Sequence, residues 1–174
     1  MNMFQSDKPC IYIHDACVLL DLLEGNLLGP WFQLGYETRT SHLVYHEIIH
    51  EEQAAQLHSF VEEGLLILDI IDNHELPLIA QQAKAWRVSM QDVSAAYLAK
   101  KYGGILLSGD KRLRKKSTGD GIEVHGILWV LDTLVGEKLL TSLQALKALD
   151  AIVAAGGRMP LKECEERRKR WQVD

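Results

Sequence analysis

The sequence predicts an α/β domain of three layers, with helices on both sides of a parallel sheet. Three observations carry that expectation. Apolar runs of three to five residues recur along the chain, segments with helical spacing separate them, and two of the runs end on an aspartate. Strands covered on both faces read as continuous apolar runs, whereas half-exposed strands alternate, so these runs fit a buried parallel sheet.

The first run is Ile11, Tyr12 and Ile13, and polarity changes abruptly at His14-Asp15 before a Cys, Val and Leu run of helical character. Asp15 therefore stands where a first strand hands over to a first helix, the place at which open α/β sheets collect ligands. Capping that helix is the plainer role for an acid there. Gly25 and Asn26 supply a stop, and 27–34 reads as an irregular apolar linker around Gly29-Pro30. A weak second strand covers 37–41, and 43–63 reads as one helix, with Val44, Ile48, Ala54, Leu57 and Val61 at helical spacing. Gly64 ends it, and 65–69 is the third strand.

Pro77 is expected to open the next helix, which carries Ile79, Ala80, Ala83 and Trp86. Ser89 starts another, with Asp92 three residues on in capping-box spacing. Ala95, Ala96 and Ala99 give that helix a small-residue stripe for close approach, and Gly103-Gly104 stops it. The fourth strand, 105–107, closes on Ser108-Gly109-Asp110 and leads into the basic run Lys111, Arg112, Arg114, Lys115 and Lys116. A fifth strand over 122–125 follows, then helices over 127–135 and 142–155 and a last one opened by Pro160. Glu163 with Arg167 and Glu166 with Arg170 are i,i+4 pairs, which predicts a solvated charged face. A chain of 174 residues is expected to form a single domain, 1–174, with a C-terminal helical extension from about 138 to 174.

The net charge of −5 argues against a protein held on nucleic acid by bulk electrostatics and leaves room for a local basic patch. Cys10, Cys17 and Cys164 are widely spaced and form no CxxC pair, so they read as buried thiols of a reducing compartment. The first ten residues show no signal peptide, and no run reaches membrane-spanning length, which together predict a cytoplasmic protein without membrane association. No GxGxxG follows the first strand and no GxxxxGK[ST] occurs, so dinucleotide and P-loop readings lack their phosphate cradle.

The acids are the chemistry on offer. Glu47 shares a predicted helix face with Val44, Ile48 and Glu51, and an inward carboxylate is costly unless a cation or donors meet it; a Glu at the edge of that face, reaching solvent by its own length, is the plainer reading. Clustered acids repel, and a hard divalent cation is the usual remedy. One pattern competes: His46-Glu47-Ile48-Ile49-His50 is a literal HExxH, the zinc-peptidase signature, with both histidines on one face of the predicted helix and Glu47 as base. Against it, Glu51 and Glu52 follow where that helix is normally apolar, and no second histidine motif supplies a third ligand. His14 reads as a buried strand-end histidine, with proton shuttling beside Asp15 as its alternative.

Four segments, IYIHDACVLLDLL, SHLVYHEI, SMQDVSAAYLAKKYGGILLSGDKRLR and VHGILWVLDTLV, resemble the PIN-domain ribonucleases, whose best-known members are toxins of bacterial toxin–antitoxin pairs. They span about 11–135 in family order, and the Ala-rich helix, paired glycines, strand and S-x-D form the most specific piece. The resemblance implies a five-stranded parallel sheet in the order 3-2-1-4-5, with Asp15 meeting Asp110 at the switch point. It further implies that Asp15, Glu47, Asp92 and Asp110 bind Mg²⁺ or Mn²⁺ for RNA cleavage, with Ser108 assisting Asp110 or the phosphate. Lys111, Arg112, Arg114 and Lys115 would hold flanking phosphates, with a solvated helix end as the alternative. Implied partners are RNA and an antitoxin, a complex subunit or a second copy of the chain. Two departures stand out. Family members often carry an acid or Asn soon after the position of Asp110, where this chain has Arg112 and Arg114. The chain also runs about forty residues past the fifth strand, longer than the compact toxins. A PIN-like subunit that no longer cleaves, docking through its C-terminal helices, is the reading of another class.

Overall fold

The computed structural model describes residues 10–172. The expected absence of a signal peptide concerns residues that lie mainly outside that range. In chain order the elements are β1 (Ile11–His14), α1 (Ala16–Glu24), α2 (Leu28–Phe32), β2 (Glu37–Ser41), α3 (His42–Tyr45), α4 (Glu51–Glu62) and β3 (Ile67–Asp69). They continue with α5 (Glu75–Trp86), α6 (Met90–Tyr102), β4 (Ile105–Leu107), α7 (Lys111–Gly119), β5 (Val124–His125), α8 (Ile127–Gly136), α9 (Ser142–Ala154) and α10 (Leu161–Gln172). The five strands form one sheet in the order β3-β2-β1-β4-β5. All pairings are parallel, with Tyr12 opposite Thr38 on one side of β1 and His14 opposite Leu107 on the other. Helices cover both faces, which gives the three-layer α/β/α architecture. No described helix is long and apolar enough to cross a membrane.

The sheet centre is packed from both sides. Ile13, Leu106 and Leu107 are fully buried, and α6 lies close along β1 through Ala95, Ala96 and Ala99. The paired glycines that end α6 have separate jobs. Gly103 takes the left-handed conformation of a helix C-cap, at φ 62°. At Gly104 a Cβ would stand 2.8 Å from the carbonyl oxygen of Ile11, so only glycine lets the chain enter β4 so close to β1. Gly104→Ala is expected to cost about 1–3 kcal/mol, the usual cost of forced overpacking, measured as a fall in denaturant midpoint. Gly119→Ala, with open space around its Cβ, is the control.

Four expectations are corrected. The helix expected over 43–63 is two helices: His46 caps the C-terminus of α3, the chain turns through His46 and Glu47, and His50 is extended before α4 restarts. Glu51 and Glu52 occupy the first turn of α4, where the helix dipole favours acids, and that placement competes with a continuous helix. The apolar linker contains α2, whose Trp31 is fully buried. The helix expected to open at Pro77 begins two residues earlier, because Asp72 Oδ1 accepts from the backbone N–H of both His74 and Glu75. Proline remains tolerable there, since the N–H groups of a first helical turn have no intrahelical partner. Cys10 is exposed and Cys17 half-buried, so only Cys164 is a buried thiol.

The C-terminal helices join the common core through Ala145, Leu149, Ile152, Cys164 and Trp171. Their charged face is also less solvated than expected. Arg167 Nε donates to Asp132 Oδ2 on α8 at 3.0 Å, while its spacing partner Glu163 stands 3.8 Å away.

Candidate active site

Two strands end side by side at the switch point of the sheet, and each delivers an aspartate into the first turn of a helix. Asp15 follows β1 and caps α1, its Oδ1 accepting from Val18 N–H at 2.8 Å. Asp110 follows β4 and caps α7, its Oδ1 accepting from Leu113 N–H at 2.7 Å. The plain role of each acid is therefore real, and it consumes one carboxylate oxygen.

The two differ in burial. Asp110 is exposed, whereas Asp15 is 0% exposed and its Oδ2 has no hydrogen-bond partner among the described residues. Burial pushes the Asp15 carboxyl up to about 7; Ser108 and the Val18 N–H oppose the rise, and the negative charges of Asp92 and Asp21 add to it. Ser108 is itself buried, and its Oγ accepts from Asp110 N–H at 3.1 Å, so it braces the loop between the two acids.

Asp92 lies in the first turn of α6, where Ser89 Oγ accepts its N–H at 3.0 Å. Burial and the charge of Asp110 raise its carboxyl, against an opposing contribution from Ser89. Glu47 sits in the turn between α3 and α4, exposed as a residue, and partial desolvation and then Asp92 raise its carboxyl. Cys17 reports how closely the acids gather. Its thiol is pushed up to about 12 by burial first, and then by Asp15, Asp21, Asp92 and Asp110. Its Sγ would be 2.9 Å from any Cβ at Gly109. Among the described residues, no three His, Cys, Asp or Glu side chains form a group that could hold a metal ion.

Two grooves meet at the acids. One of about 630 Å³ is lined by Arg87, Ser89, Asp92, Asp110, Lys111, Arg112 and Lys115. The other, about 950 Å³, runs along α1 to the turn between α9 and α10 and also borders Asp92, Asp110 and Lys111. Of the basic run, Lys111, Arg112 and Lys115 thus face the first groove, and Lys116 borders the depression beside it. Arg114 does not. Its Nη1 donates to Ser108 O at 3.0 Å and packs against Gly126, because its position on α7 turns it toward β5.

Sequence reasoning missed three lining residues. Arg87 adopts a left-handed C-cap at φ 55° and its carbonyl accepts from Arg112. Asp21, a lone acid amid leucines, and Arg158, just past Gly156-Gly157, line the second groove. The leucine-flanked acid was a signal; Arg158 had none.

The HExxH stretch lies across the turn between α3 and α4, not on one helix, so His46 and His50 lack the one-turn spacing that the zinc reading requires. Zinc content measured on protein purified without added metal is expected to be unchanged in a His46→Ala, His50→Ala double variant.

The crystal structure of PAE2754 from Pyrobaculum aerophilum is similar in fold, with a TM-score of 0.55 at 19% identity over 76% of this chain and 94% of that one. A search of curated proteins finds no match. The sequence matches the family model DUF3368, described as PIN domain, over residues 11–172. That span takes in the switch-point acids, the groove-facing helix and the C-terminal helices alike, and this chain belongs to the PIN-domain family.

Proposed function

We propose that the protein is an endoribonuclease dependent on Mg²⁺ or Mn²⁺, with Asp15, Asp92 and Asp110 as inner carboxylates and Glu47 as an outer one. The observation that carries this reading is Asp15. A fully buried carboxylate met only by one backbone N–H and the Ser108 hydroxyl is costly unless a cation or a proton joins it. The donors gathered near it are carboxylates and a hydroxyl, the hard oxygen set that suits these cations. Mg²⁺ commonly keeps several waters and binds through one or two carboxylates plus substrate phosphate, so a complete protein cage is not needed.

Such a cation, when bound, polarises a phosphoryl oxygen and makes water a nucleophile at neutral pH. The chain's own residues do the rest. Asp92 and Asp110 border both grooves and would orient the attacking water and take its proton. Lys111 stands at the same junction and would meet the scissile phosphate, while Arg87, Arg112 and Lys115 would hold flanking phosphates. Ser108 fixes Asp110 through the backbone. RNA is the substrate, and a protein antitoxin or a second copy of the chain is a partner consistent with the family. A second reading, a PIN-like subunit that does not cleave, is favoured by the lack of a three-ligand group among the described residues.

The test is cleavage of unstructured and hairpin RNAs in Mn²⁺ and in EDTA. Cleavage is expected in Mn²⁺ only, with Asp110→Asn slower by a factor of about 10² or more. Equal cleavage in EDTA, or by Asp110→Asn, would sink the proposal, and metal binding without turnover on a broad panel would favour the second reading. Replacing Lys111 and Lys115 by Gln is expected to weaken RNA binding across sequences and lower the salt slope by about 2. Arg114→Gln should leave that slope unchanged.

A further inference from the structure

The second groove holds a carboxylate that phosphodiester cleavage does not use. Asp21 lies six residues beyond Asp15 on α1, about 9 Å along the helix axis. The residue is only 7% exposed, what remains exposed borders the groove, and its carboxylate forms no hydrogen bond among the described residues. Unlike Asp15 Oδ2, its oxygens are not sealed away from the groove, so a donor that enters there can reach them. Gln53, the nearest amide on the groove wall, donates instead to Glu24 at 2.7 Å.

The surroundings define what the missing donor is like. Leu20 and Met159 add apolar surface to the groove that Asp21 lines, and the exposed Arg158 lines it as well. The turn between α9 and α10 closes down on the acid at Gly157, where a Cβ would lie 3.1 Å from Asp21 Oδ1 and 2.9 Å from Ile152 O. The groove thus combines apolar surface with the carboxylates of Asp21 and Glu24, and it continues to the junction where Asp92 and Asp110 stand. A phosphate is excluded there by charge. A flat ring carrying adjacent N–H donors fits, and single-stranded RNA is read by just such contacts to base edges.

We propose that Asp21 is a specificity-determining residue that binds the Watson–Crick edge of a guanine, accepting from N1–H and the N2 amino group together. The inference rests on the nuclease reading for its substrate. Burial and the charge of Glu24 raise the Asp21 carboxyl to about 6, so at neutral pH the acceptor form dominates while the burial cost is still felt. Guanine is the standard base that offers two adjacent donors to one carboxylate. Adenine and cytosine present a single amino group beside an acceptor, which would face Asp21 oxygen to oxygen or oxygen to nitrogen.

Two arms test this, one without cleavage. Binding of a short U-rich oligonucleotide with one central guanine is compared with its inosine counterpart in EDTA, using wild type, Asp21→Asn and Asp21→Ala. Wild type is expected to favour guanine by about 10-fold, the scale of a bidentate base contact, and both variants to bind the two oligonucleotides within about 2-fold of each other. Thermal melts check that the variants fold; removing a buried, unpartnered charge should not lower Tm. In the second arm a randomised single-stranded RNA pool is cleaved in Mn²⁺ and the new ends are sequenced. Guanine should be enriched at one fixed distance from the cut, and Asp21→Asn should lose that enrichment while still cutting. Equal binding of guanine and inosine by wild type overturns the proposal whether or not the RNA is cut. So does a preference that Asp21→Asn retains. Lack of cleavage with guanine preference intact in the binding arm would count against the nuclease reading alone. An arginine-bearing peptide that binds wild type but not Asp21→Asn, with no guanine preference, would reassign the groove to a protein partner.

Discussion

Asp15→Asn is expected to abolish metal-stimulated RNA cleavage and, in EDTA at pH 8, to raise the melting temperature. The two effects have opposite signs because the proposed metal-binding carboxylate is also a buried charge. For folding, the buried charge is a burden. Its folded value of about 7 lies above the ordinary 3.8, so the native state binds the extra proton and stability falls as pH rises from about 4 to 7. Above pH 7 the whole penalty is present, and removing it should stabilise the protein by on the order of 1–3 kcal/mol. Asparagine also keeps the cap of α1, since it caps as well as aspartate. His14 acts in the other direction. Both its ring nitrogens are buried without partners among the described residues, and burial lowers it to about 3, so its contribution is lost as pH falls from 6.5. In wild type the two slopes oppose each other between pH 4 and 6.5. Denaturation curves of Asp15→Asn in EDTA should therefore rise with pH through that window where wild type is flatter. A variant that loses both activity and stability at pH 8 would mean that Asp15 is mainly structural.

Trp31→Ala should cost about 3–5 kcal/mol, which for a chain of this size lowers Tm by roughly 6–20 °C. Trp31 is fully buried between β1 and α2. Its ring meets Tyr12 edge-on at 5.1 Å, Tyr36 at 5.7 Å and His14 at 5.4 Å, and its Nε1 donates to Thr38 Oγ1 at 3.0 Å. Trp31→Phe keeps most of the area and loses the bond to Thr38, so a loss of about 1–2 kcal/mol is expected. Thr38 still reaches Tyr36 O at 3.3 Å. Urea melts of the two variants give the comparison, and a cost for Trp31→Ala below that of Trp31→Phe would contradict the packing account.

The sheet was legible because buried parallel strands leave continuous apolar runs, as at Ile11–Ile13 and Ile105–Leu107, and Ser89 and Gly103 mark both ends of α6 by chemistry alone. The break between α3 and α4 was not. Val44, Ile48 and Leu57 keep apparent helical spacing across it, because a buried turn also points every third or fourth residue inward. Asp15 and Asp110 could be found from strand ends. Arg87 and Arg158 could not, since each reaches the grooves from a loop that tertiary packing alone brings there. Arg114 looked equivalent to its neighbours in the run, and only the helical phase of α7 separates it from them.

The caps at the two strand ends bear on how such a site is inherited. Asp15 and Asp110 each accept from an N–H three residues away in the same chain segment. Each such bond needs only a strand end and the helix that follows it. Substitutions in the groove walls or the C-terminal helices leave those two bonds in place, because neither bond uses a residue from there. In the proposed nuclease, the aiming of the two acids thus draws on two short segments, 15–18 and 110–113, and base preference on the groove walls around them.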